Sequence, residues 1–211
     1  MDALDVLTAL VLVVVGMRVS SGTRIALSRD GRSRLREIWR GIRVRHFVLA
    51  FPALFVVATA VIVLASLPVL SWGWWTAIGG IGNPVTGGTE RTEGTPLAWL
   101  VPAVFIVLLL PALPLFAEAE ERIFRLGSER RTRWGRVGKA VQFGLTHAII
   151  GIPIGAALGL SFGGMYFTWA YMRGWRATGS TRAAMLESTR THLAYNVVVV
   201  GVIALVLLAF P

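Results

Sequence analysis

Two long uncharged apolar runs constrain this chain more than any other feature of its sequence. Residues 47–70 and 97–117 contain no Asp, Glu, Lys or Arg. Because a bilayer core of about 30 Å is crossed by roughly 20 helical residues, each run is long enough to span a membrane. Apolar residues make up 55% of the chain, and the mean hydropathy is +0.68. The sequence therefore predicts an all-α, multi-pass membrane helix bundle.

The apolar pattern predicts about six transmembrane helices. They cover residues 3–17, 47–70, 97–117, 140–151, 153–172 and 193–210. Gly151 and Pro153 favour a break in the uncharged run 140–172, which is too long for one crossing. With this break, the Arg-rich segments 18–45, 122–139 and 173–190 share one side, and Arg91 is the only basic residue on the other. The excess of Lys and Arg in cytoplasmic loops then predicts a cell-membrane protein with both termini outside.

We interpret the chain as one membrane domain with two parts. Residues 1–96 hold the first two helices, a basic cytoplasmic loop and an outer loop, and residues 97–211 hold the remaining helical core. The segment 29–45 interleaves Arg with apolar residues at helical spacing, which fits either a helix on the anionic inner leaflet or a solvated loop. We expect anionic lipids as partners there. We interpret the net charge of +10 as the excess of basic residues that marks cytoplasmic loops, so no nucleic-acid partner is expected.

Small residues and missing residue types add two further constraints. Gly151, Gly155, Gly159 and Gly163 recur at every fourth position, which predicts close packing of the fifth helix against a neighbour. The chain has no cysteine, so disulfides, thiolate metal ligands and cysteine nucleophiles are excluded.

Few ionisable residues fall at membrane depth, where each requires a partner or a function. They are Glu118, Glu120, Glu121 and Arg125 at the end of the third segment, His147 in the fourth, and His192 with the polar Asn196 at the start of the sixth. Glu121 and Arg125 are four residues apart, so a helix lets them pair while Glu120 points elsewhere. The two-crossing topology brings Glu120, His147 and His192 to the same membrane side. His46 follows Arg45 at a membrane interface and is interpreted as structural or neutral.

Three motifs at these residues resemble one family. They are EExxxR at residues 120–125, FxxxH at residues 143–147 and HxxxN at residues 192–196. In this order they are similar to the motifs of the CAAX-protease and bacteriocin-processing (CPBP) membrane peptidases, related to the type II CAAX prenyl endopeptidases. The resemblance covers residues 97–210. In the family Gly often directly follows the motif arginine, whereas here Leu126 comes first and Gly127 second.

The resemblance implies an intramembrane endopeptidase that cleaves a membrane-associated peptide or protein without a covalent intermediate. Glu120 with His147 would activate a water molecule, and His192 with Asn196 would donate hydrogen bonds to the oxyanion. Glu121 with Arg125 would orient the site. Glu120, His147 and His192 also match a zinc ligand set with a free position for water, so the metal dependence is left open.

Two other functions remain as alternatives. One is a non-catalytic membrane module of the same fold that binds a partner, as in bacteriocin self-immunity. The other is a transporter or proton path, since intramembrane Glu and His relay protons in pumps and transporters. The polar residues cluster at one membrane face, and three helices carry no series of charged residues along which protons could move. This favours the peptidase over the proton path.

Overall fold

The computed structural model describes residues 3–79 and 94–209, and every regular element within these ranges is helical. The α-helices are α1 (Ala3–Leu27), α2 (Arg29–Arg40), α3 (Val44–Ala65), α4 (Trp74–Ala77), α5 (Leu97–Phe124), α6 (Arg133–Thr146), α7 (Ile154–Thr178) and α8 (Thr181–Ala209). Two 3-10 turns cover Ser128–Arg130 and His147–Ile150. The all-α prediction is confirmed for the described residues.

Helix α7 lies at the centre of the bundle. It packs against α3, α6 and α8, while α5 packs against α8 and α1. Burial of apolar side chains between these helices forms two clusters. The first consists of Ala50, Val57, Phe124, Phe143, Phe167 and Tyr195. The second consists of Ile38, Leu113, Ala117 and Leu193 and joins α2 to α5 and α8.

Glycines bring α3 and α7 into backbone contact. A Cβ atom at Gly155 would overlap the Leu64 carbonyl, and one at Gly159 would overlap the Val61 backbone. The predicted close packing is confirmed at these two positions. Gly151 does not belong to this row, because it precedes α7 and has a left-handed φ of 89°.

The predicted break between the fourth and fifth segments is confirmed. Helix α6 ends at Thr146, a 3-10 turn follows, and Pro153 directly precedes α7. Two backbone hydrogen bonds then tie the start of α7 to the segment after α3, from Ile154 N to Trp72 O (2.9 Å) and from Gly155 N to Leu70 O (2.8 Å).

Two described helices are long and apolar enough to cross a membrane. They span Val44–Ala65 and Thr181–Val206, by length and composition alone. On α3, the side chains of Phe51, Phe55 and Ile62 remain exposed, as expected for a surface that faces lipid. The six-helix topology and the cytoplasmic position of the basic segments stay predictions. Arg91 and the rest of 80–93 lie outside the described residues.

Several boundaries differ from the prediction. Helix α1 continues beyond residue 17 to Leu27, and α8 begins at Thr181 instead of residue 193. The segment 29–45 is helical over α2, which starts where the Ser28 hydroxyl accepts a hydrogen bond from Gly31 N (3.0 Å). Its Ile38 is buried against α5 and α8, so this apolar side chain faces the protein interior. Hydropathy missed these extensions because charged residues continue the helices past the apolar runs.

Candidate active site

Four polar residues predicted from the sequence line a single cavity of about 320 Å³. Glu120 comes from α5, His147 from the start of the 3-10 turn after α6, and His192 and Asn196 from α8. The remainder of the lining is mainly apolar, and it consists of Leu54, Val57, Ala58, Val61, Phe143, Leu160, Gly163, Phe167, Tyr195 and Val199. The fold therefore brings residues of all three motifs to one cavity that has an apolar wall.

The buried carboxylate of Glu121 contacts His192 at its Nδ1 atom. This Nδ1 atom lies 2.9 Å from Glu121 Oε1. Because an ionised carboxylate only accepts hydrogen bonds, Nδ1 carries the proton. The Ser188 hydroxyl contacts Glu121 Oε2 and also lies 2.8 Å from the Phe167 carbonyl oxygen. The Phe167 ring stacks on the imidazole with centroids 4.0 Å apart. These contacts fix both the plane and the tautomer of His192.

Glu121 and Arg125 form a fully buried pair, each 0% exposed. Arg125 Nη1 lies 3.6 Å from Glu121 Oε1, and Nη2 donates to the Gly164 carbonyl oxygen at 3.1 Å. The guanidinium also lies over the Phe143 ring, 4.3 Å from its centroid. The i,i+4 spacing therefore led to the correct pairing. Helix α5 directs both side chains inward, toward α7 and α8.

Glu120 differs from its neighbour Glu121 because it reaches the cavity. Its side chain is 36% exposed, and its Oε2 atom lies 3.6 Å from His192 Nε2. His192 thus stands between two carboxylates, one sealed and one accessible. A carboxylate with access to the cavity can accept a proton from a water molecule there.

His147 occupies the cavity wall at the junction between α6 and the 3-10 turn. Its Nδ1 atom lies 2.9 Å from the Phe143 carbonyl oxygen, which only accepts, so Nδ1 carries the proton. In the neutral imidazole, Nε2 is then a hydrogen-bond acceptor. Within residues 3–79 and 94–209, no hydrogen bond or ion pair joins His147 directly to Glu120.

Glu120, His147 and His192 do not assemble into a metal site. Among the described residues, no three His, Cys, Asp or Glu side chains are grouped closely enough to hold a metal ion. His192 Nδ1 is engaged by Glu121 and His147 Nδ1 by the Phe143 carbonyl, which leaves only the Nε2 atom of each ring for a further ligand. Because the three side chains are not grouped in the described residues, the zinc ligand set considered from the sequence is not assembled in this arrangement.

The sequence interpretation missed Ser188, Phe167 and the apolar wall from α3. A signal for Ser188 was present, because Ser188, His192 and Asn196 are spaced by four residues and share one face of α8. No comparable pattern marked Phe167 or α3, since apolar residues are common throughout those helices.

His46 lies outside the cavity in a separate charged cluster. It is 2% exposed, and its Nε2 atom lies 3.5 Å from Glu187 Oε2. Arg45 and Arg173 also bind the Glu187 carboxylate, at 3.0 and 2.9 Å. These contacts agree with a structural role for His46, and no sequence pattern indicated its charged neighbours.

A further, partly buried hydrogen bond joins the turn between α5 and α6 to α7. The Tyr171 hydroxyl donates to Glu129 Oε2 at 2.7 Å. Burial alone would raise the pKa of Glu129, but the Tyr171 hydrogen bond, together with Arg130 and Arg131, holds that pKa below its ordinary value of 4.5.

Comparisons of the chain with protein-family models, with curated proteins and with solved structures found no match. The candidate site is therefore interpreted from its own geometry and from the three sequence motifs.

Proposed function

We propose that this chain is an intramembrane endopeptidase that hydrolyses a peptide bond near the cytoplasmic membrane face. The observation that carries the proposal is the shared cavity of Glu120, His147, His192 and Asn196. These are the residues to which the motif resemblance assigns catalytic roles. The substrate is a membrane-associated peptide or protein, because the cavity borders an exposed apolar helix, α3.

Glu120 acts as the general base. Its carboxylate has access to the cavity, whereas Glu121 is sealed and engaged by His192 and Arg125. As water attacks the scissile carbonyl carbon, Glu120 takes its proton, a role that contributes roughly 10²- to 10⁴-fold to the rate. The protonated Glu120 then gives this proton to the leaving amide nitrogen as the C–N bond breaks. His147 assists by accepting a hydrogen bond from the same water through Nε2.

Asn196 and His192 stabilise the oxyanion. The Asn196 amide makes no hydrogen bond within the described residues, so its N–H groups are free to donate. His192 already directs its Nδ1 proton to Glu121, so its Nε2 donates only in the imidazolium form. A preorganised donor of this kind contributes about 3 kcal/mol to transition-state stabilisation.

Glu121, Arg125 and Ser188 are positioning residues. They hold the His192 ring from the side opposite Glu120 and touch no cavity surface themselves. Their contribution is to keep the imidazole in one orientation while the reaction proceeds.

The experiment is cleavage of a panel of membrane-tethered peptides by the full-length protein in nanodiscs. Glu120→Gln keeps the size of the side chain and removes the base, so we expect cleavage to fall by roughly 10²-fold or more. Glu118→Gln is the matched control, because Glu118 lies on the same helix, pairs with Arg34 and Arg122, and does not line the cavity. It should cleave within about twofold of the parent.

Full cleavage by Glu120→Gln would overturn the proposed mechanism. If the parent cleaves nothing and Glu120→Gln still supports the cellular role of the protein, the chain is the non-catalytic binding or immunity module instead.

A further inference from the structure

A second cavity, of about 500 Å³ and open to the protein surface, lies between α2 and α8 and is distinct from the candidate active site. Its lining consists of Ser33, Arg36, Glu37, Arg40, Gly41, Arg182 and Arg190. Four arginines against one glutamate leave an excess of three positive charges. Like charges repel one another and attract an anion, so this excess of positive charge favours an anionic ligand.

The acidic group in this cavity is already engaged. Glu37 Oε1 forms an ion pair with Arg182 at 2.6 Å. Within the described residues, the side chains of Arg36 and Arg40 form no ion pair or hydrogen bond. Both side chains are exposed. These two guanidinium groups lie one turn apart on α2 and are free to bind a ligand.

Arg190 of α8 is held in a fixed position by the backbone of α2. Its Nε and Nη2 atoms donate to the carbonyl oxygens of Ile38 (3.1 Å) and Glu37 (2.8 Å) at the end of α2. A Cβ atom at Gly41 would overlap the Arg190 guanidinium, so glycine at this position leaves space for it. The cavity is therefore built from a fixed arginine on α8 and two unpaired arginines on α2.

We infer that this cavity binds a phosphate group. Planar guanidinium groups match phosphate oxygens through paired N–H donors, and clusters of arginine select phosphate over weaker anions. The phosphate belongs either to a phospholipid headgroup or to a soluble phosphate compound. The exposed Trp39 next to Arg40 favours the headgroup, because tryptophan suits the membrane interface.

The test is calorimetric titration of the full-length protein in neutral detergent, where no charged bilayer surface contributes. The ligands are a short-chain phosphatidylglycerol, the short-chain diacylglycerol that lacks its phosphate, and inorganic phosphate. We expect the phosphatidylglycerol to bind one to one and the diacylglycerol not to bind. Competition by millimolar inorganic phosphate identifies a soluble phosphate compound as sufficient, whereas lack of competition identifies the lipid headgroup.

Two variants locate the binding in the cavity. Arg36→Gln/Arg40→Gln should weaken binding of the phosphatidylglycerol by roughly thirtyfold. Arg29→Gln/Arg32→Gln removes the same charge from the same helix outside the cavity lining, and should change binding by less than about threefold. Gly41→Ala retains every charge but displaces the Arg190 guanidinium, so it should also weaken binding.

Equal weakening by the two double variants would show that the helix attracts anions only through its net charge, and would overturn the inference. Phosphatidylglycerol binding that survives Arg36→Gln/Arg40→Gln would overturn it as well. Circular dichroism of each variant separates loss of binding from loss of the helical fold.

Discussion

Two Glu–Arg pairs on α5 have the same spacing and opposite surroundings. Glu118 pairs with Arg122 at 3.0 Å, and Glu121 pairs with Arg125 at 3.6 Å. The Arg122 side chain is 61% exposed, whereas Glu121 and Arg125 are fully buried. The pair with the longer distance between nitrogen and oxygen is thus the buried pair.

Burial, more than distance, decides how much a charged pair contributes to stability. Water and salt screen the exposed pair, which therefore contributes little to stability. The buried charges have lost their hydration, so removal of one partner leaves the other without compensation. Only the buried pair can hold a neighbouring imidazole in a fixed position.

The largest expected effect comes from breaking the buried pair. Arg125→Met fills a similar volume but leaves Glu121 buried without its cation, so we expect a loss of about 3–5 kcal/mol in the free energy of unfolding. Arg122→Met, one turn earlier on an exposed site, should cost less than about 1 kcal/mol. Reversible unfolding in neutral detergent measures both. Similar losses in the two variants would contradict the role assigned to burial.

A smaller effect is expected from the hydroxyl that contacts Glu121. Ser188→Ala leaves the buried Oε2 atom without this partner and should destabilise the protein by about 1–3 kcal/mol. The adjacent Thr189 supplies the control, because its buried hydroxyl has no hydrogen-bond partner among the described residues. Thr189→Val should be neutral or stabilising in the same unfolding assay. A larger loss from Thr189→Val than from Ser188→Ala would show that packing outweighs the hydrogen bond.

Glu129 offers a test by pH at the turn between α5 and α6. Tyr171→Phe removes its hydrogen bond and should cost about 1.5 kcal/mol near neutral pH. Because the folded-state pKa of Glu129 is lowered, its stabilisation is present above about pH 4.5 and is lost as the pH falls through the folded-state value. The difference in unfolding free energy between variant and parent should therefore shrink in acid. A difference that grows in acid would show that the pKa of Glu129 is raised instead.

The smallest effect concerns the exposed pairs of Glu118. Glu118→Gln removes the contacts with Arg34 (2.5 Å) and Arg122, and should cost at most about 1 kcal/mol at low salt. Since salt screens exposed charges, this cost should vanish near 1 M NaCl. A cost that persists at high salt would show that the ion pairs of Glu118 are shielded from solvent, as the Glu121–Arg125 pair is.

Local spacing predicted part of the site because helices convert sequence separation into direction. The pairing of Glu121 with Arg125, and the shared face of His192 and Asn196, follow from the i,i+4 rule. The break at Gly151 and Pro153 follows from backbone chemistry in the same way.

Contacts between distant segments could not be predicted from one sequence. Nothing in residues 29–45 shows that Ile38 packs with Leu193, or that Arg190 reaches the end of α2. The apolar wall from α3 was missed for the same reason, since Leu54 and Val57 resemble every other apolar residue of that helix.

Helix α3 is held at both of its ends. At one end Arg45 and His46 contact Glu187 of α8, and at the other the segment after α3 bonds to the start of α7. Because both ends are restrained, α3 cannot rotate outward as a rigid body about one end. The cavity is already open enough to leave Glu120 36% exposed, so any widening on the α3 side comes from local changes such as a different rotamer of Leu54. A spin-label pair on α3 and α8 of this cysteine-free chain should give one narrow distance distribution, with or without a bound peptide.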